Sequence, residues 1–137
     1  MKHLILIIAS LLGIYACADS TVPRTLDDVE SYIMERPDSA LAVLESMDRS
    51  LLVTEADRAH HALLNAMALD KSFIDVSDDS LARVAVDYYS KRGDRKCYAR
   101  ALYYLGVAYY NQGEYKKLTD NTEAFGQVAT NTLATAA

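Results

Sequence analysis

Leu102–Tyr115 reads LYYLGVAYYNQGEY. Leu102, Leu105, Gly106 and Tyr109 recur at spacings of three and four, the period of one face of an α-helix. Gly113 follows the last periodic residue, where glycine readily takes the left-handed conformation that ends a helix. Gly106 lies inside the pattern at a cost of about 1 kcal/mol relative to alanine. It therefore needs a compensating gain, and the expected one is close approach of a neighbouring helix that a side chain would block. Gly113, Glu114 and Tyr115 form an interrupted turn into a returning segment. The stretch predicts a helical hairpin whose first helix runs from about Cys97 to Gln112.

Working back toward the N-terminus, the same period recurs and no run alternates as a half-buried strand does. Thr25 is placed to cap a helix through Glu35, with Asp28 three residues on and Leu26, Val29 and Ile33 near one face. Pro37, Asp38 and Ser39 open a second helix, where proline is tolerated because its missing N–H has no helical partner in the first turn. Leu41, Leu44 and Met47 mark its apolar stripe. Thr54 with Asp57 starts a third, with Ala56, Ala59, Leu63, Ala66 and Met67 on one face. Ser77 is placed to cap a fourth, with Asp78 and Asp79 in its first turn and Leu81, Val84, Ala85 and Tyr88 as its stripe. The tail LTDNTEAFGQVATNTLATAA has no Lys or Arg and is rich in Thr and Ala. Phe125, Val128, Ala129, Thr132 and Leu133 still fall on one helical face, which predicts a weak helix and a poor terminal cap.

The pattern of a large residue, Leu-Gly, Tyr, then Gly-x-Tyr after the turn, carried by Leu102, Leu105, Gly106, Tyr109, Gly113 and Tyr115, resembles the first helix and turn of a tetratricopeptide repeat. On the returning helix this chain has Leu118 and Thr122 where that family has a small alanine and an aromatic. Together with PDSALAVLESMD, AHHALLNAMALDKS and SDDSLARVAVDYYSKRGD upstream, the chain is similar to tetratricopeptide-repeat-like lipoproteins of the Bacteroidota over about residues 26 to 117. The resemblance implies an all-α fold of antiparallel hairpins stacked as a short solenoid. It also implies a concave groove, lined by the first helix of each repeat, that binds peptides. On the helix of Leu102 the face beside the stripe carries Arg100, Tyr103, Val107, Tyr110 and Asn111, which are the candidate partner contacts.

The first twenty residues, MKHLILIIASLLGIYACADS, have a different character. Lys2 and His3 precede an uncharged segment from Leu4 to Ala16 that is shorter than the roughly 20 apolar residues needed to span a bilayer. This is the form of an export signal. Ile14, Tyr15, Ala16 and Cys17 resemble a bacterial lipobox, in which the cysteine is acylated, and Tyr15 is its one misfit. The expected organisation is a signal peptide at 1–16, a lipidated tether at 17–24, a hairpin domain at 25–118 and a degenerate or truncated C-terminal helix or tail at 119–137. A truncated or frameshifted gene would account for that last part.

The chain has 14 Lys and Arg against 19 Asp and Glu, a net charge of −5, and becomes more acidic when Lys2 leaves with the leader. That balance excludes nucleic acid as the expected partner, since binding it rests on clustered cations that neutralise phosphate. The concentration Lys91, Arg92, Arg95, Lys96 and Arg100 reads as a helix end and turn. With two cysteines in all and Cys17 acylated, Cys97 has no intramolecular partner. Arg95 and Lys96 beside it would lower its pKa, but a packed, idle thiol is the expectation. His60 and His61 are adjacent in a helix and point about 100° apart, so they do not share one metal without a third ligand. Asp75, Asp78 and Asp79 lack the alternating ligands and central glycine of a calcium loop. No Gly-rich phosphate loop or HExxH is present. The sequence thus predicts no enzyme, no cofactor and no metal. It predicts a lipid-anchored scaffold of the cell envelope, on the outer membrane or the periplasmic side of the inner membrane, that binds an unknown protein or peptide. The rival expectation is the N-terminal input portion of a longer signalling regulator.

Overall fold

A computed structural model describes residues 21–92 and 94–135, so the leader, Cys17 and the first part of the tether lie outside the described residues. Among the described residues all regular structure is helical: α1 (Thr21–Tyr32), α2 (Pro37–Ser46), a 3-10 turn (Arg49–Leu51), α3 (Glu55–Lys71), α4 (Ser80–Tyr89), α5 (Arg95–Gln112) and α6 (Tyr115–Thr135).

Caps fix most of the boundaries. Pro37 stands in the first turn of α2. Thr54 accepts from the Asp57 N–H at 3.0 Å and donates to the Asp57 carboxylate at 2.6 Å, which closes the start of α3 reciprocally. Asp94 accepts from the Cys97 N–H at 3.0 Å and starts α5 two residues ahead of the expected Cys97. Gly113 ends α5 at φ 73°, with the Glu114 N–H donating to the Tyr109 carbonyl at 2.9 Å.

Two starts differ from expectation. Residues Thr21 to Arg24 belong to α1 rather than to a tether, and Val22 is buried. Thr25 is a helical residue whose hydroxyl donates to the Thr21 carbonyl at 3.0 Å, a bond that competes with capping. At α4 the cap position is Asp79 rather than Ser77, and the helix begins at Ser80. The Asp78 carboxylate accepts from the Ser80 N–H and hydroxyl, each at 2.9 Å, so the aspartates precede the first turn.

Each helix packs on its chain neighbour, and α3 lies against both α1 and α2, as α5 lies against both α3 and α4. The core runs through these layers. Leu26 and Val29 of α1, with Ile33 just beyond its end, meet Leu41 and Leu44 of α2 and Leu63, Leu64 and Met67 of α3 in one cluster. Fully burying such a side chain contributes about 1.5–3 kcal/mol. From His61 to Ala68 α3 is buried on every side, the position of a helix that passes between two layers. His61 Nε2 donates to the Leu44 carbonyl at 2.9 Å and satisfies an acceptor at the end of α2.

The stripe of α4 is rotated by one position. Ala82, Ala85 and Tyr89 are buried, whereas Val84 is 45% exposed. Ala56, expected on the inner face of α3, is exposed. The residues from 119 on, expected as a weak helix or degenerate tail, are helical and continue α6 without a break to Thr135.

Candidate functional site

The last hairpin carries an open groove of about 350 Å³ between α5 and α6. Tyr103, Val107 and Tyr110 form its α5 wall, Leu118, Thr122 and Phe125 its α6 wall, and Leu102, Gly106 and Asn121 its floor. None of these side chains is charged. Tyr103 and Tyr110 are 50% and 65% exposed. They are amphipathic rings that supply contact area at low conformational cost.

Gly106 sets the depth of the groove. A Cβ built there would stand 3.0 Å from Asn121 Nδ2 and 3.6 Å from Leu118 Cδ1. Asn121 is buried and its Nδ2 donates to the Leu102 carbonyl at 2.8 Å. The expected close approach at Gly106 is therefore present, and the partner element is α6. Asn121 Oδ1 is buried with no hydrogen-bond partner among the described residues. An unsatisfied buried acceptor of this kind costs about 1–3 kcal/mol. No local signal marks it, because an Asn within a Thr-rich tail reads as a solvated residue.

The five candidate contacts divide between three tasks. Tyr103, Val107 and Tyr110 share the groove. Asn111 Nδ2 donates to the Val76 carbonyl at 3.0 Å and, with Gln112 Nε2 donating to the Ser77 carbonyl at 2.6 Å, holds the loop between α3 and α4. Arg100 turns toward α1 and α3. Its Nη1 donates to Glu30 Oε1 at 2.6 Å and its Nη2 lies 3.3 Å from Met67 Sδ. His60 Nε2 lies 2.9 Å from the other Glu30 oxygen, so one carboxylate joins α1, α3 and α5. Burial pushes the Glu30 carboxyl up. Hydrogen bonds from Arg100 and His60, and their charges, outweigh that and leave it below the usual carboxylate value.

His60 and His61 thus serve different helices, and no group of three or more His, Cys, Asp or Glu among the described residues is placed to hold a metal ion. Of the acidic cluster, Asp79 pairs with Arg83 at 2.6 Å, and Asp78 holds Ser80. Burial, with Asp94 beside it, pushes the Cys97 thiol up to about 11, so Arg95 and Lys96 do not lower it. The basic run is also divided. Arg92 lies over the Tyr88 ring at 5.1 Å, while Arg95 and Lys96 fall in the first turn of α5, where the helix dipole opposes cations.

Phe73 was not singled out by the sequence. It is 96% exposed at φ 58°, just beyond the end of α3, in a backbone region that disfavours a bulky residue. No described helix is long and apolar enough to cross a membrane. Comparison of the chain with protein-family models, with curated proteins and with solved structures gave no match.

Proposed function

We propose that this chain is a non-catalytic, membrane-anchored helical scaffold that binds a protein or peptide partner. Cys17 carries the lipid, the hairpins stack as a short tetratricopeptide-like solenoid in the cell envelope, and the partner docks through Tyr103, Val107 and Tyr110. The observation that carries the reading is the open, uncharged groove beside two exposed tyrosines. Exposed apolar surface gathered in one groove is a feature of interaction and ligand-binding sites. The contact pattern of α1, α3 and α5, in which alternate helices touch, supports the solenoid. Arg100 and Asn111 leave the proposed contact set, because each is engaged within the fold.

Lipid attachment and docking are tested separately. Cys17→Ala is expected to abolish metabolic labelling with palmitate and to release the chain from the membrane fraction; unchanged labelling contradicts the anchor. A photo-reactive residue at Val107 is expected to cross-link in cells to one discrete protein, and the yield is expected to fall in the Tyr103→Ala/Tyr110→Ala background. A yield that does not change contradicts the docking surface.

A further inference from the structure

The groove between α5 and α6 is the third of a series, and the first two are filled. The hairpin α1–α2 receives α3, which touches both of its helices, and the hairpin α3–α4 receives α5 in the same manner. Tyr104 and Ala108 of α5 are seated among Ala66 and Asp70 of α3 and Leu81 and Ala82 of α4. The hairpin α5–α6 has the same two-walled shape, and among the described residues no helix lies in it.

We infer that the α5–α6 groove receives an amphipathic α-helix from a partner polypeptide, seated as α3 and α5 are seated in the two preceding grooves. The inference rests on the docking reading above and names the partner's chemistry. Continuity with the two intramolecular interfaces sets the shape of the occupant. The helices that fill those interfaces bury small and apolar side chains, among them Ala59 and Leu63 on α3 and Ala101, Tyr104 and Ala108 on α5. Charge complementarity sets its docking face. The groove lining is uncharged, so a charged docking face would be desolvated with no opposite charge to meet it. The occupant's docking face is therefore uncharged, with Ala, Gly or Ser at closest approach and larger apolar residues beside it.

The probe is a fluorescent synthetic peptide with the sequence of residues 95–112, Cys97 replaced by Ser and the helix held by a side-chain staple on its polar face. It is titrated into the purified full chain by fluorescence anisotropy. A second peptide carries proline at the positions of Ala101 and Ala108, which prevents the helix. The expected result is saturable binding of the stapled peptide, at least tenfold weaker binding to Thr122→Arg, and none of the proline peptide. Thr122 is exposed on α6, so an unchanged melting temperature in Thr122→Arg assigns its effect to the groove. If that variant fails to fold, Phe125→Glu serves in its place. Equal binding of both peptides overturns the helix and leaves the docking reading standing. If neither peptide binds, the helix is overturned; persistence of the Val107 cross-link then preserves the docking reading, and its loss ends both. A concentration-dependent dimer dispersed by Thr122→Arg assigns the groove to a second copy of the chain and also overturns the inference.

Discussion

Individual side chains decide where the helices of this molecule approach and where they are tied. Gly106 is the clearest case, because a Cβ there would press on an Asn121 amide that is buried and bonded to the Leu102 carbonyl. Helix propensity alone predicts that Gly106→Ala stabilises by about 1 kcal/mol. The packing predicts a loss of about 1–2 kcal/mol, within the usual cost of overfilling a close contact. Chemical denaturation of Gly106→Ala, Asn121→Ala and the pair reads the coupling directly, with the double variant less destabilised than the sum of the singles. Glu30 gives a pH signature. Its pKa is lowered in the fold, so its stabilising contribution is complete above the ordinary carboxylate value of about 4.3 and disappears as the pH falls through the lowered value. Glu30→Gln is expected to lose about 1 kcal/mol at pH 7, a figure kept small because the group is partly open to water, and to narrow the gap from the parent chain on acidification. Melting curves from pH 7 down to pH 3 check this. Cys97, held at about 11, is expected to react with iodoacetamide at pH 8 on the order of 100-fold more slowly than a free thiol, and at the free-thiol rate in denaturant.

At the scale of the elements, the sequence was legible wherever a local signal stood alone. Pro37, Thr54 with Asp57, and Gly113 each mark a boundary through a bond or a backbone angle internal to a few residues, and the fold has those boundaries. The misplaced features depended on something distant or on two competing local choices. Ser77 and the aspartates after it offer several capping geometries, and Asp78 closes the one at Ser80. The stripe of α4 is shifted because Ala82, a small residue with weak hydrophobic signal, is buried beside the expected Ala85, while Val84 turns outward. The groove tyrosines were readable from helical phase, whereas the diversion of Arg100 to Glu30 spans 70 residues of chain and has no local trace. Asn121 was missed for the same reason, since its role depends on the distance to Gly106. The caps yield a prediction at this scale: Thr54→Ala and Asp94→Ala should each cost about 1 kcal/mol, with the loss concentrated in amide exchange of the first turns of α3 and α5. Uniform loosening across the molecule would contradict local capping.

For the molecule as a whole, the order of packing matters more than any one contact. Each of the first two hairpins is covered by the helix that follows it, and among the described residues no helix covers the groove of the third. The tyrosines at that groove are placed at its surface, whereas Tyr104 and Tyr109 of the same helix are buried. That division separates binding from folding and makes the central claim testable in one comparison. The measurement is the Val107 cross-linking yield of Tyr103→Ala/Tyr110→Ala set against its melting temperature. The expected result is loss of most of the cross-link with a melting temperature within about 5 °C of the parent, a shift equivalent to roughly 1 kcal/mol for a domain of this size. A collapse of the melting temperature, or a retained cross-link, would place those tyrosines in the core or off the contact surface and contradict it.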